Sequence, residues 1–264
     1  MIKRKIEKEL ESFLEKKEKK ALLITGARQV GKTCIIRAVG QRICSSFVEI
    51  NFLDNKAAVS LFSTASDSAD LLLRLSAVVK EPLIPGKTLI FLDEVQECKE
   101  IVTAIKFLIE EGSYRYVLSG SLLGVDLKDI RSVPVGYMDV LEMYPLDFEE
   151  FALAAGVADS IIEKLQECFQ KKTEVDGIIH EKMMELFRLY LIVGGMPAAV
   201  VKYLDTNNLQ EVVYEQKNIV NLYKKDIAKY DPENKLYLED IFELIPSELN
   251  SKNKRFIMKN LNEN

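Results

Sequence analysis

The run Gly26-Ala27-Arg28-Gln29-Val30-Gly31-Lys32-Thr33 constrains this chain more than any other feature. It satisfies G-x-x-x-x-G-K-[ST] at every fixed position. Ahead of it, Ala21 to Thr25 is a short apolar run ended by Gly26, which reads as a buried parallel strand. Behind it, Ile36, Val39 and Ile43 follow Lys32 on one helix face. Strand, glycine-bearing turn and helix in that order make a nest of backbone N–H groups at a helix N-terminus, where an anion is stabilised. Gly26 and Gly31 permit the backbone angles that turn those amides inward. Lys32 offers a point charge to β- and γ-phosphates, and Thr33 a hydroxyl to Mg²⁺. Cys34 closes the nucleotide-binding stretch, with a small side chain packing behind the loop.

The same alternation continues to residue 145. Residues 47–52 alternate as a strand, and Leu71, Leu72, Leu75, Val78 and Val79 mark a helix stopped near Pro82. Thr88 to Leu92 is a second buried strand, and Ile101, Ile105, Leu108 and Ile109 predict a helix with Gly112 as its C-cap. Tyr114 to Leu118 is the next strand. Strands alternating with helices imply a parallel sheet covered on both faces. After Pro145 the strands stop. Asp147 with Glu150, and Ser160 with Glu163, predict two capping boxes. Residues 178–193 predict a helix ending at Gly194-Gly195, with Pro197 enforcing the stop, and 209–227 a helix of about twenty residues. The organisation expected is an N-terminal helix over 1–20, an α/β core over 21–145, a helical lid over 146–205 and a C-terminal segment over 206–264.

The strand Leu89-Ile90-Phe91-Leu92 delivers Asp93 and Glu94 at its tip. Asp93 is the candidate for the Mg²⁺ shell with Thr33. Glu94 is the candidate general base that polarises attacking water. A strand between the two motifs and another after them suit the P-loop class with an added central strand and a catalytic glutamate. That order favours hydrolysis over nucleotide kinase chemistry. At the end of the next strand, Ser119 is the first choice to reach the γ-phosphate or water and Ser121 the second, although a turn serine without a role fits as well. Gln96 either lines the site or stands at an exposed helix start. No N-K-x-D guanine-reading motif occurs, so the expected ligands are ATP and Mg²⁺.

Composition removes other chemistries. A single histidine, His180, argues against a Ser-His-Asp triad and a multi-histidine metal site, and reads as a surface or interface residue. Four scattered cysteines without a CxxC argue for reduced thiols and a cytoplasmic protein. The longest uncharged run, Leu189 to Val201, is thirteen residues, short of the roughly twenty that a membrane span needs. The charged N-terminus leads into no apolar signal segment. A formal net charge of −5 makes the chain no generic polyanion binder.

Read together, Gly26–Thr33, Leu92-Asp93-Glu94-Val95-Gln96, Leu118-Ser119-Gly120-Ser121 and Tyr144-Pro145-Leu146-Asp147-Phe148-Glu149-Glu150 resemble the prokaryotic AAA-like ATPases related to the archaeal ATPase group. Gly194-Gly195-Met196-Pro197-Ala198-Ala199-Val200, then Asn218 to Lys229, is similar to the uncharacterised C-terminal domain those ATPases carry. The resemblance covers roughly residues 20–258. It implies an ATPase core, a helical lid and a winged-helix-like segment, often followed by a nuclease-like module, so the C-terminal segment reads as incomplete at Asn264. Many relatives have a Gly-Arg pair before the Pro-Leu-Asp-Phe stretch, a candidate arginine finger. Here Gly136-Tyr137 stands there, with Arg131 five residues upstream. Low intrinsic turnover is therefore expected unless Arg131 or a second copy in a homo-oligomer supplies the charge.

The expected function is ATP hydrolysis coupled to a macromolecular process. The alternatives are a nucleotide-gated module that binds DNA or protein with little hydrolysis, and a small-molecule kinase. Residues 251–259 carry four basic side chains that suit a recognition helix or, preferably, a solvated helix end. Tyr214, Tyr223, Tyr230 and Tyr237 read as packing residues, because 215–264 holds equal numbers of acidic and basic side chains.

Overall fold

Three strands of the computed structural model are buried along their length: β1 (Ala21–Gly26), β3 (Thr88–Asp93) and, but for its half-buried first residue, β4 (Arg115–Ser121). Burial on both faces is what their unbroken apolar runs require, and it makes them interior strands. β2 (Ser46–Asn51) and β5 (Met138–Glu142) alternate in burial and form the edges. All five are parallel, in the order β2-β3-β4-β1-β5. The structure describes residues 2–16, 18–64, 67–98, 100–121, 136–230 and 235–250.

The side-chain period of two sorts each strand between two cores. Leu22, Ile24, Leu89, Phe91 and Val117 face α1 (Ile6–Glu15) and α2 (Lys32–Ile43), where Ile6, Leu10, Leu14, Ile35, Ile36 and Val39 meet them. Leu23, Ile50, Ile90, Leu92 and Leu118 point the other way. They are covered by α3 (Lys56–Thr64), α4 (Ser68–Val78) and α5 (Ile101–Glu111). Gly112 caps α5 in the left-handed region as expected. At Gly40 a Cβ would strike the Phe47 ring, so glycine lets α2 lie close on the sheet.

Beyond residue 145 every described element is a helix: α6 (Phe148–Ala154), α7 (Asp159–Lys171), α8 (Gly177–Val193), α9 (Pro197–Thr206), α10 (Leu209–Tyr230) and α11 (Lys235–Asn250). Ala152, Ile162, Met183 and Leu186 join α6, α7 and α8. The chain divides into two units, Met1–Asn207 and Asn208–Asn264. In the second, α10 packs on α11, with a Lys224–Glu243 ion pair of 2.5 Å.

Four expectations need correction. β5 and α3 are elements the sequence reading passed over. The Ser160–Glu163 box does not form: α7 starts at Asp159 with Ala158 as N-cap and no side-chain cap. The short link after Gly156 starts the helix at once and draws Ser160 into its first turn. Pro197 does more than stop α8, since it occupies the first turn of α9, where a missing N–H costs nothing. The Asp147–Glu150 box is present, with both of its hydrogen bonds. Arg131 and the basic segment 251–259 lie outside the described residues.

Candidate nucleotide site

The carboxyl ends of four strands meet at one edge of the sheet. The register sets Gly26 beside Ser121 and Asn51 beside Asp93. β1 connects outward to the β2 edge, whereas β5 lies on its opposite side, so the strand order reverses around β1. Open α/β sheets bind ligands at such a switch point.

Gly26 leaves β1 with φ +148°, and a Cβ there would overlap the backbone carbonyl of Met143. Gly31 is the N-cap of α2 at φ +99°, a left-handed position that suits glycine. The helix has no side-chain cap and no acidic residue in its first turn. Its leading N–H groups are thus left for an anion. Between the glycines, Val30 is fully buried and Gln29 takes φ +65°, while Ala27 and Arg28 are half-buried. The Cys34 thiol is exposed one residue beyond Thr33, not packed behind the loop as expected.

Lys32 is buried and curls over the loop. Its ammonium donates to the carbonyls of Gly26 (2.9 Å) and Ala27 (2.8 Å). Burial pulls its pKa down against the opposing pull of Glu94 and Asp93. A buried ammonium with only carbonyl partners is stabilised by any phosphate brought to the loop.

Asp93 is the hub of the site. Thr33 Oγ1 donates to its two oxygens at 3.2 and 3.1 Å, Asn51 Nδ2 at 3.0 Å, and Ser119 Oγ makes a short bond to Oδ1. Burial raises the Asp93 pKa, and the Ser119 and Thr33 hydrogen bonds work against it. A hydroxyl and a carboxylate in contact are a donor set suited to Mg²⁺, which takes few protein ligands and keeps most of its waters. Among the described residues no cluster of three or more His, Cys, Asp or Glu exists to hold a metal by protein ligands alone.

Glu94 follows in the left-handed region (φ +58°, ψ +48°), a costly conformation for a side chain with a Cβ. Its carboxylate accepts a short bond from Gln96 Nε2, and Gln96 Oε1 accepts from the Ser121 amide at 3.3 Å. Gln96 thus bridges the acid to the tip of β4. The Ser121 hydroxyl is buried and has no hydrogen-bond partner, whereas that of Ser119 is committed to Asp93.

Two groups at the site escaped the sequence reading. Asn51 is signalled only by being the polar end of an alternating strand. Arg4 lies in a lysine-rich stretch that gave no cue, yet it is buried against the loop.

A parallel sheet in this order, a glycine-bounded loop at a helix start and an acidic strand tip carrying Asp93 and Glu94 define the class of P-loop NTPases. Residues 18–152, just over half of the chain, match the family described as AAA domain, and residues 184–264 match a domain of unknown function. The chain belongs to the AAA-domain family, as an AAA-like P-loop ATPase with an added C-terminal domain. No curated protein matches it. Among solved structures, PCH-2 of C. elegans aligns at 13% identity over 82% of this chain and 70% of its own, with a TM-score of 0.49. The Aeropyrum pernix ORC1 protein, solved with DNA, aligns at 14% identity over 99% and 81%, with a TM-score of 0.44. AMPPCP-bound DnaA from Aquifex aeolicus aligns at 14% over 97% and 79%, with a TM-score of 0.43.

Proposed function

We propose that the protein is a Mg²⁺-dependent ATPase that hydrolyses ATP to ADP and phosphate. The observation that carries the reading is the Thr33 hydroxyl resting on the Asp93 carboxylate at the mouth of the phosphate loop. Gly26 to Cys34 wrap the phosphates, and Lys32 exchanges its two carbonyl partners for phosphate oxygens. Thr33 and Asp93 hold the metal, whose chemistry is to neutralise charge on the transferring phosphoryl group. Glu94 takes a proton from the attacking water. Ser119 keeps Asp93 oriented, and the unpartnered Ser121 hydroxyl is the group at the β4 tip left to meet the γ-phosphate or water. Residues 146–205 act as the lid and 206–264 as the segment that engages a partner. The balanced charge of 215–264 favours protein over nucleic acid there. Scattered reduced thiols support a cytoplasmic setting, and among the described residues no helix is long and apolar enough to cross a membrane.

Gly136-Tyr137 supports a second reading, a nucleotide-gated binding module with little hydrolysis. The Tyr137 hydroxyl donates to Glu110 at 2.6 Å and carries no charge toward a phosphate. Steady-state phosphate release separates the two. Hydrolysis predicts turnover that Glu94→Gln lowers by roughly 10²–10⁴-fold, the usual contribution of a general base. Tight ATP binding without phosphate release in the parent chain would select the binding module.

A further inference from the structure

The guanidinium of Arg4 is among the most buried charges in the chain, with 6% of its side chain exposed. It gathers three segments distant in sequence. Nη1 donates to the Val30 carbonyl at 3.0 Å, Nη2 donates to the Tyr144 carbonyl at 2.7 Å, and Nε lies 3.2 Å from Glu150 Oε1. Glu150 is equally buried, at 7%. Its two oxygens also accept from the backbone N–H of Lys5 (2.6 Å) and of Asp147 (3.1 Å). A buried ion pair stabilises little by itself unless hydrogen bonds satisfy both ions. Here Nη1, Nη2 and both Glu150 oxygens are hydrogen-bonded, while Nε has only its ion-pair contact with the carboxylate, and the acceptors of Nη1 and Nη2 are backbone carbonyls of the phosphate loop and of the strap that follows β5.

The Val30 carbonyl matters because a peptide unit is planar and trans. Fixing that C=O fixes the N–H of Gly31 pointing the opposite way, and Gly31 is the residue that opens α2. Inward-facing amides in the loop require outward-facing carbonyls, and Arg4 supplies the outer partner for this one. The strap is bound on its other contacts too. Met143 N–H donates to the Thr25 carbonyl at 2.7 Å, and Leu146 N–H donates to the Gly195 carbonyl at 2.7 Å.

We infer that Arg4 is a positioning residue for phosphate binding, holding the Val30–Gly31 peptide in its anion-receiving orientation and tying the loop to the strap and to α6 through Glu150. The inference rests on the ATP reading of the loop. It makes the segment before α1 part of the nucleotide site, and it gives nucleotide binding a mechanical route to the first helix beyond the sheet. Such coupling is reciprocal, so a change at Glu150 alters nucleotide affinity as well.

The test uses the full chain and four variants: Arg4→Lys, Arg4→Met, Arg4→Met with Glu150→Gln, and Leu10→Ala. The double variant removes both buried charges, so neither is left unpaired. Leu10→Ala opens the α1 core without touching the network, since Leu10 is fully buried in that helix. Hydrogen exchange over residues 26–33 and titration with a non-hydrolysable ATP analogue are the two readouts. The expected result is faster loop exchange and at least tenfold weaker analogue binding in Arg4→Met and in the double variant. Arg4→Lys should fall between these and the parent, and Leu10→Ala should match the parent in both readouts despite its lower Tm. Unchanged exchange and affinity in the double variant, or equal losses in Leu10→Ala, would overturn the inference. If the parent binds no analogue, the ATP reading fails. The exchange readout then still decides whether Arg4 orders the loop.

Discussion

Gly195 approaches the strap so closely that a Cβ on it would overlap the Leu146 carbonyl oxygen, and the same carbonyl accepts the Tyr190 hydroxyl at 2.8 Å. Its φ lies outside the left-handed region, so the requirement is for space and not for backbone freedom. Gly195→Ala therefore has to push backbone away from backbone, and a cost of about 1–3 kcal/mol is expected, as for an overpacked interior. Urea unfolding reads this directly as a lower midpoint, and an unchanged midpoint would show that the approach is looser than described. At Gly26 the same crowding by Met143 is joined by a positive φ, which is why the first glycine of the phosphate loop has two reasons to be glycine. The sequence motif supplied one reason only. The second comes from the strap, more than a hundred residues away, and no local pattern announces it.

At the scale of elements, α6 begins with a complete capping box, and its N-cap is also an ion-pair partner. Asp147 accepts from the Glu150 amide at 2.9 Å and from the Lys5 ammonium at 2.7 Å. Burial works to raise the Asp147 pKa, but these hydrogen bonds and the Lys5 charge outweigh it and hold the carboxyl below its ordinary value. A carboxyl whose pKa is depressed on folding stabilises the fold above its unfolded pKa, and that stability is lost as pH falls through the folded pKa. Asp147→Ala should cost about 1 kcal/mol at neutral pH, as for the loss of an N-cap. The gap from the parent should begin to narrow as pH falls below about 4, the ordinary carboxyl value, and close as pH passes below the depressed folded value. Thermal melts of both chains across pH 3–7 check it, and a gap constant with pH would contradict the account.

Elements with strong periods were legible. The buried strands β1, β3 and β4 are continuous apolar runs, and α5 repeats at helical spacing up to its glycine cap. β5 was not legible, because an edge strand needs only half a face: Val140 is 60% exposed and the run around it holds acids. α3 hid because its start signal is a side chain, Asn55, whose Oδ1 accepts from the Ala58 amide at 3.1 Å. The Ser160–Glu163 pattern misled for the opposite reason, since a short link set the helix start before the box could form. At the site, the motif named Lys32, Thr33, Asp93 and Glu94. The bonds of Asn51 and Arg4 depend on chain segments brought together by the sheet, and only the fold reveals them.

In the molecule as a whole, the unit Met1–Asn207 contains the entire candidate site, from Arg4 through the phosphate loop and the acidic strand tip to Ser121. Its sheet order puts the hydroxyl of one loop and the carboxylate of another strand within hydrogen-bond reach, and leaves a buried ammonium bonded to carbonyls alone. These features make one claim, that the loop is built to receive the phosphates of ATP. Titrating the purified chain with ATP analogue in the presence of Mg²⁺, beside Lys32→Ala, tests that claim most directly. The account predicts saturable binding to the parent chain and none measurable to the variant. Equal affinity in the two would contradict it.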